Sequence, residues 1–170
     1  MMLGPGDAKV SNIKDEAIIR MSRFGFVYIA GQQSSHLRIT FVERLNSLRY
    51  RDTRTRRATA IPDRCHREQV KTGISVVCKI PPRFRSESMF VQVWPRLGND
   101  YVDGRTLPRG FRLWVLADAG RDVVYGGAGN DFVNGAKHDD RIYGGPGNDF
   151  LRSGPGNDLV RGGKGNDRIS

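Results

Sequence analysis

The sequence predicts an all-β protein in which a C-terminal solenoid of short parallel strands follows a small β-rich region. Three observations support this. Residues 117–170 repeat a glycine- and aspartate-rich pattern every nine residues. A longer, irregular echo of that pattern occupies residues 75–116. Residues 1–74 contain short apolar or alternating runs between glycine, serine and asparagine, as strands do. We therefore expect a β-rich N-terminal region (1–74), lengthened solenoid coils (75–116) and a regular repeat array (117–170).

The array contains six blocks of nine residues without a gap. The sixth position is always aspartate and the eighth is always aliphatic. The aspartates are Asp122, Asp131, Asp140, Asp149, Asp158 and Asp167. The aliphatic residues are Val124, Val133, Ile142, Leu151, Val160 and Ile169. A disordered linker is the alternative interpretation, but linkers do not keep a strict aliphatic column.

Each block has the composition of one tight turn followed by one short strand. Glycine adopts positive φ without a Cβ penalty, so the glycine-rich half can bend sharply and turn carbonyl oxygens inward. The remaining residues, with one aliphatic in the middle, suit a strand that faces a core. Two blocks then make one coil, and coils about 4.8 Å apart place the aspartates of alternate blocks in columns. Such carboxylates repel one another unless a cation lies between them.

Carboxylates and carbonyls together form a flexible, all-oxygen site, which favours Ca²⁺ over Mg²⁺ and Zn²⁺. The repeat resembles the RTX, or haemolysin-type, calcium-binding nonapeptide G-G-x-G-x-D-x-U-x, which forms a parallel β-roll. This resemblance implies Ca²⁺ between successive coils, at Asp122 with Asp140, Asp140 with Asp158, Asp131 with Asp149, and Asp149 with Asp167. The glycines that it implies as metal-site residues are Gly127, Gly129, Gly145, Gly147, Gly154, Gly156, Gly163 and Gly165.

Some blocks depart from the glycine pattern. Ala136 and His138 replace glycines in the third block, and Ser153 and the pair Ala117 and Asp118 break it elsewhere. Histidine is among the residues enriched at positive φ. We expect weaker calcium sites at Asp122 and Asp140.

The echo upstream has an offset of 22 residues. It aligns Val91 with Leu113, Val93 with Val115, Gly98 with Gly120, Asp100 with Asp122, and Val102 with Val124. One coil of eighteen plus four residues in the segment RTLPRG explains the offset, so the solenoid is expected to start near residue 75. Asp100 then adds a fifth site with Asp122. The whole layout resembles RTX-repeat calcium-binding proteins of secreted actinobacterial type. A helix over 40–50 is a weaker alternative within the N-terminal strands.

The formal net charge of +10 belongs to the N-terminal part. Residues 117–170 carry −1 and residues 1–116 carry +11. The densest basic run is Arg49, Arg51, Arg54, Arg56, Arg57, Arg64 and Arg67. The run is either a solvated arginine-rich face, which is the interpretation we favour, or a binding site for an anionic cell-surface polymer. Nucleic acid is disfavoured because no recognised nucleic-acid motif accompanies the run.

Cys65 and Cys78 are the only cysteines. In an extracellular protein they predict one disulfide, and a reduced pair is the alternative. A zinc site is disfavoured because His66 is the only nearby histidine.

Extracellular calcium concentrations suit modules of this kind, so we expect a secreted protein. The start MMLGPGDAKV has no hydrophobic signal core. A misassigned start, a shortened chain and unconventional export are all open explanations, and the array ends at Ser170 without a capping segment.

Enzymatic motifs were not found. The chain has neither H-E-x-x-H nor G-x-S-x-G, and His36, His66 and His138 are scattered. The sequence therefore predicts a non-enzymatic protein with a calcium-induced fold and a structural or surface role. Two alternatives stay open: the calcium-binding part of a larger secreted hydrolase or toxin, and a module that binds polyanions or surfaces.

Overall fold

A computed structural model of the chain describes residues 15–85 and 88–170; residues 1–14 of the predicted N-terminal region lie outside the described residues. The described chain is all-β, as predicted, with two eight-stranded sheets that share one apolar core. Its only helices are two 3-10 turns, Glu43–Leu45 and Pro82–Arg85. Within the described residues, no helix has the length and apolarity that crossing a membrane requires.

The first sheet has the strand order β16-β14-β12-β10-β8-β2-β1-β5. Its strands are β1 (Glu16–Ser22), β2 (Gly25–Ile29), β5 (Arg57–Ala58), β8 (Met89–Trp94), β10 (Phe111–Leu116), β12 (Phe132–Asn134), β14 (Phe150–Arg152) and β16 (Arg168–Ile169).

The second sheet has the strand order β15-β13-β11-β9-β3-β4-β7-β6. Its strands are β3 (His36–Val42), β4 (Ser47–Asp52), β6 (Cys65–Arg67), β7 (Ile74–Lys79), β9 (Tyr101–Asp103), β11 (Val123–Tyr125), β13 (Arg141–Pro146) and β15 (Leu159–Lys164).

The C-terminal strands form a parallel β-solenoid of about four turns, which confirms the predicted architecture. The chain alternates between the two sheets, so one coil takes two nonapeptides. Residues eighteen positions apart are therefore partners in parallel register: Val124 with Ile142, Ile142 with Val160, Val133 with Leu151, and Leu151 with Ile169.

The aliphatic column points into the core along most of the array. Val124, Val133, Ile142 and Leu151 are at most 1% exposed. Val160 is only partly buried, and the Ile169 side chain is 53% exposed. The burial decreases there because no further coil of the described residues covers the last strands.

The 22-residue offset is also confirmed. Val91 pairs with Leu113, Val93 with Val115, and Val102 with Val124. The four extra residues are accommodated in the loop 104–110, whose Leu107 side chain is 1% exposed and belongs to the core.

Parallel pairing begins further upstream than residue 75. Strand β2 pairs in parallel with β8, and β3 pairs in parallel with β9. These two strands therefore make an additional coil, and antiparallel strands extend both sheets beyond it. The proposed boundaries at residues 74 and 116 stay predictions, since both sheets contain strands from each side of residue 74.

The helix considered for 40–50 does not form beyond one 3-10 turn. Residues 36–52 make a β-hairpin instead, in which Phe41 pairs with Leu48. Asn46 closes its turn with φ of 45°, a left-handed conformation that asparagine tolerates. The β-branched and aromatic residues of β3 favour the strand.

The two cysteines are joined by a disulfide, Cys65 to Cys78. They lie directly opposite each other on β6 and β7. The disulfide therefore ties the edge strand β6 to the second sheet.

Aromatic side chains line up across the outer face of the first sheet. The ring centroids of Phe90 and Trp114 are 5.9 Å apart, those of Trp114 and Phe132 are 4.6 Å apart, and those of Phe132 and Phe150 are 5.4 Å apart. Each contact joins neighbouring coils, so this row adds to the stabilisation that the buried aliphatic residues provide.

Candidate calcium-binding site

The repeat aspartates form two ladders on opposite edges of the solenoid. The first ladder lies in the turns that lead from the first sheet to the second, and the second ladder lies in the turns that lead back. The first ladder contains Asp100, Asp122, Asp140 and Asp158. The second ladder contains Asp131, Asp149 and Asp167.

One hydrogen bond repeats along the first ladder. Oδ1 of each aspartate accepts from the backbone amide of the preceding aspartate, at 2.8 Å for Asp100 to Asp122, for Asp122 to Asp140 and for Asp140 to Asp158. Upstream of them, the amide of Ser35 donates to Oδ1 of Asp100 at 2.6 Å. The ladder therefore continues past the repeats into the coil made by β2 and β3.

The second ladder uses the same bond. The amide of Leu113 donates to Oδ1 of Asp131 at 2.7 Å, that of Asp131 to Asp149 at 2.8 Å, and that of Asp149 to Asp167 at 3.0 Å. In both ladders the predicted partners lie on adjacent coils. The carboxylates are therefore stacked as the repeat spacing requires, and whether each pair shares a cation stays a prediction.

Four of the ladder aspartates have a second carboxylate oxygen without a partner. Oδ2 of Asp100, Asp122, Asp140 and Asp149 is buried and has no hydrogen bond within the described residues. Asp131 differs because its Oδ2 accepts from the amide of Gly127 at 2.7 Å. Burying a carboxylate oxygen without a hydrogen-bond donor is energetically unfavourable, and a bound cation or proton removes that cost.

Asp52 shows what a satisfied buried carboxylate looks like in the same molecule. It is fully buried, yet its Oδ1 accepts from the amides of His36, Arg54 and Thr55. Its Oδ2 accepts from the hydroxyls of Tyr28 and Thr55. Asp52 therefore needs no metal, and the unpartnered oxygens set the ladder aspartates apart.

The first glycine of a block makes room for the aspartate that follows it. A Cβ placed on Gly126 would lie 2.6 Å from Oδ2 of Asp131. Gly135, Gly144 and Gly162 hold the equivalent positions against Asp140, Asp149 and Asp167. These first glycines were not among the predicted site residues, although the block pattern contains them. Each one lets the backbone pass close to an Oδ2 atom, where a side chain would collide.

Burial raises the pKa of five ladder carboxyls. The pKa of Asp122 is raised to about 8 by burial and by the neighbouring carboxylates. Burial raises the pKa of Asp131 to about 7 and those of Asp100 and Asp140 to about 6. The pKa of Asp149 is also raised by burial. Without a cation, the ladders therefore bind protons more readily than free carboxylates do.

Most of the predicted metal-site glycines lie in these turns, and Gly145 and Gly163 lie near the C-terminal ends of β13 and β15. Gly145, Gly147, Gly154, Gly163 and Gly165 have positive φ. At the equivalent positions of other blocks, Asp118, Ala136 and His138 are held at φ of 76° to 80°. The irregular blocks thus keep the turn shape at the cost of backbone strain. Weaker binding at Asp122 and Asp140 stays a prediction, and so does the use of the glycine carbonyls as ligands.

The residues present fit calcium. Each step of a ladder offers two stacked carboxylates, and most of them carry an unpartnered oxygen. In residues 15–85 and 88–170, no three His, Cys, Asp or Glu side chains are gathered into a metal site. A cation in a ladder would therefore take carbonyl oxygens as well, and such oxygen-rich, flexible coordination is what Ca²⁺ prefers.

The basic segment is not one continuous surface. Arg49 makes a bidentate ion pair with Glu68, with both N···O distances at 2.8 Å. Arg51 donates to the backbone carbonyls of Thr72 and Ile74. These two arginines are therefore used within the fold.

Other arginines of the segment face solvent. Arg56, Arg57 and Arg67 line a groove of about 580 Å³ beside the edge strand β5. Arg54 and Arg64 are exposed as well.

The histidines lie in separate places. His36 is in β3 and its ring lies 4.4 Å from that of Tyr101, His66 is exposed in β6, and His138 occupies a turn of the first ladder.

Comparison with known protein families agrees with the geometry. Residues 114–137 and 135–169 match the family model of the RTX calcium-binding nonapeptide repeat, in four copies. The C-terminal part of the chain therefore consists of RTX calcium-binding repeats. The chain matches no curated protein and no solved structure.

Proposed function

We propose that this protein is a secreted, non-enzymatic calcium-binding protein whose β-roll folds and stiffens when the aspartate ladders bind Ca²⁺. The observation that carries the proposal is the set of buried Oδ2 atoms without a hydrogen-bond donor in the ladders. The matched RTX repeats support calcium as the ion.

The residues that would hold the ion are the stacked pairs of each ladder. In the first ladder these are Asp100 with Asp122, Asp122 with Asp140, and Asp140 with Asp158. In the second ladder they are Asp131 with Asp149, and Asp149 with Asp167. When bound, Ca²⁺ supplies the positive charge that a column of buried carboxylates lacks. The chain itself orients one oxygen of each carboxylate through the amide of the coil before it.

The free energy available from such sites is large for a small protein. A ligand that binds only the folded state at ten times its Kd stabilises it by about 1.4 kcal/mol per site. Five sites would therefore contribute roughly 7 kcal/mol, which is comparable with the whole stability of a small domain. The ladders are thus able to make folding depend on calcium.

The test is a CaCl₂ titration followed by far-UV circular dichroism, with MgCl₂ at the same concentrations as the control. We expect a gain of β-structure between submillimolar and millimolar Ca²⁺ and none with Mg²⁺. Isothermal titration calorimetry on the same samples reports binding independently of folding. The proposal fails if calorimetry detects no calcium binding.

A second candidate function is binding of an anionic cell-surface polymer by the N-terminal part. The groove lined by Arg56, Arg57 and Arg67 favours it. The ion pairs of two of these are loose, at 3.7 Å from Arg56 to Asp15 and 3.8 Å from Arg57 to Glu16, and both arginine side chains are more than three-quarters exposed. Their charges are therefore available to a ligand.

Retention on immobilised heparin tests this candidate. We expect the variant Arg56→Gln/Arg57→Gln to elute at lower salt than the wild type. Arg23→Gln/Arg44→Gln is the matched control because it removes the same charge from exposed residues elsewhere in the N-terminal part. Equal losses in the two variants would show that the groove has no special role.

A further inference from the structure

A basic cleft lies directly beside the second ladder. Its volume is about 430 Å³, and Arg109, Arg112 and Lys164 converge on it. They come from three separate segments: the loop 104–110, β10 and β15. No acidic side chain lines the cleft within the described residues. We call it the second-ladder cleft.

The side chains of this cleft are hydrogen-bond donors. Arg109 and Lys164 are exposed, and within the described residues neither has an ion-pair partner. Arg112 donates through Nε to the carbonyl of Asn130 at 3.1 Å, and its guanidinium lies over the ring of Phe90. Arg112 is therefore held in place, while the other two are free to meet a ligand.

Asparagines of the repeats add further donors. Oδ1 of Asn130 accepts from the amide of Asn148 at 2.9 Å, and Oδ1 of Asn148 accepts from the amide of Asn166 at 2.8 Å. The side-chain oxygens of Asn130 and Asn148 are thus used as acceptors between neighbouring turns. Their NH₂ groups remain available as donors to a ligand. Cations with amide donors select a carboxylate, sulfate or phosphate group.

The cleft is coupled to the second ladder in two ways. Its floor includes Gly129, Gly147 and Gly165, which belong to three successive turns of that ladder. The floor therefore exists only when these coils are stacked. The carboxylates of Asp131 and Asp149 lie in the same turns, and when they are ionised without a bound cation their negative charge opposes binding of an anion.

We propose that the second-ladder cleft binds an acidic polysaccharide, and that calcium in the second ladder strengthens this binding. The inference rests on the proposed calcium binding and goes beyond it by naming a ligand class and its regulation. A linear polymer suits the cleft because Asn130 and Asn148 follow each other on successive turns along the solenoid axis, between the coils that carry Arg112 and Lys164. Among the described residues, no aromatic side chain lines the cleft, so they do not provide the base stacking that single-stranded nucleic acid uses.

The test is elution from immobilised heparin by NaCl, in calcium-free buffer and in CaCl₂ at matched ionic strength. We expect calcium to raise the NaCl concentration at which the wild type elutes. The variant Arg109→Gln/Lys164→Gln should lose most of that increase. Arg112 is left unchanged because it contacts Asn130 and Phe90.

A matched control is Arg141→Gln/Arg152→Gln, which removes the same charge from exposed residues of the same coils outside the cleft. It should keep the calcium-dependent increase. Bridging of heparin by free Ca²⁺ would leave the increase in both variants, so its loss in the cleft variant alone excludes bridging. A wild type whose elution does not change with calcium, or a cleft variant that keeps the full increase, overturns the proposal.

Circular dichroism and calorimetry on the same samples separate the two hypotheses. If calcium binds and folds the roll but heparin retention does not change, the cleft proposal alone is wrong. If calorimetry detects no calcium, the proposed function is wrong as well. Single-stranded DNA that competes with heparin for the calcium-dependent increase would contradict the choice of ligand.

Discussion

The backbone amide of Asp131 donates a hydrogen bond to Oδ1 of Asp149, one coil further along the second ladder, at 2.8 Å. Asp149 in turn donates its own amide to Asp167 at 3.0 Å. Asp149 therefore takes part in two steps of the ladder, whereas Asp167 takes part in one.

This difference predicts unequal effects of removing the two charges. Asp149→Asn should raise the calcium concentration at the folding midpoint more than Asp167→Asn does, because it weakens two sites. Asparagine keeps a side-chain oxygen that can accept the hydrogen bond from the backbone amide. The substitution therefore removes the negative charge and leaves this hydrogen bond in place. Calcium titrations followed by circular dichroism measure both midpoints, and equal shifts would contradict the stacked-site geometry.

The glycine beside a ladder carboxylate should not tolerate a methyl group. A Cβ on Gly144 would collide with Oδ2 of Asp149 and would lie 2.6 Å from the carbonyl oxygen of Gly162. We expect Gly144→Ala to lower the free energy of unfolding by about 1 to 3 kcal/mol and to weaken calcium binding.

The control is Gly110→Ala, because a Cβ there meets no atom within 4 Å. Its effect should stay within about 0.5 kcal/mol. Urea unfolding with and without calcium gives both values. A Gly144→Ala variant as stable as Gly110→Ala would show that the space beside Asp149 has no importance.

The strained turn at Ala136 should be relieved by glycine. Ala136 has φ of 76°, a left-handed conformation that costs most residues roughly 1 to 2 kcal/mol. Ala136→Gly should therefore stabilise the calcium-bound protein by about 1 kcal/mol and strengthen the sites of the first ladder.

Ala128 provides the comparison because it also lies in a repeat turn, without positive φ. Ala128→Gly should destabilise by about 0.5 to 1 kcal/mol, the ordinary entropic effect of glycine. Thermal unfolding at saturating calcium measures both variants. Changes of the same sign would indicate that the strain at Ala136 is unimportant.

The raised pKa values predict that calcium-free stability falls as pH rises. Folded Asp122 and Asp131 hold their protons up to about pH 8 and pH 7, while the same groups in the unfolded chain lose theirs near pH 4. Between these values the folded state binds more protons, so the free energy of unfolding decreases with increasing pH.

Denaturation in metal-depleted buffer should therefore show a more stable protein at pH 5 than at pH 8. Calcium competes with these protons, so its apparent affinity should be higher at pH 8 and its binding should release protons. Calorimetry in buffers with different ionisation enthalpies detects that release. An affinity that does not change between pH 5 and pH 8 would argue against the buried carboxyls as ligands.

The disulfide should stabilise the N-terminal part of the second sheet. Cys65→Ser/Cys78→Ser opens a loop with a sequence separation of 13 residues. The expected loss is about 3 kcal/mol in the free energy of unfolding. A reducing agent should lower the melting temperature of the wild type and leave the double variant unchanged; a wild type insensitive to reduction would contradict the role of the bond.

Much of the repeat architecture could be predicted because a period of nine residues specifies its own register. Asp122 and Asp140 occupy one position of their blocks, and Val124 and Ile142 occupy another, so both pairings across eighteen residues follow from the period. The irregular coil could be predicted for the same reason, because Asp100 lies next to Asp122 on the adjacent coil despite the four extra residues between them.

The N-terminal coil could not be predicted in this way. Strand β2 pairs with β8 although about sixty residues separate them, and no repeat marks the relation. Ser35 occupies the first-ladder position next to Asp100, but it is not an aspartate. The repeat pattern therefore does not reveal that it belongs to the ladder. The sequence also does not tell which arginines of the basic segment are used within the fold and which face solvent. Tertiary contacts decide this, such as the ion pair of Arg49 with Glu68.

The parallel pairing of β2 with β8 and of β3 with β9 has a consequence for how the solenoid assembles. A parallel coil usually has to form its first contacts without a partner, and closing that loop is entropically unfavourable. Here, the folded strands β2 and β3 each provide a sheet edge with which β8 and β9 can pair. Each new coil then provides the edges for the next one. We therefore expect the N-terminal region to fold first and the coils to form from it toward Ser170, in the order in which the chain is synthesised.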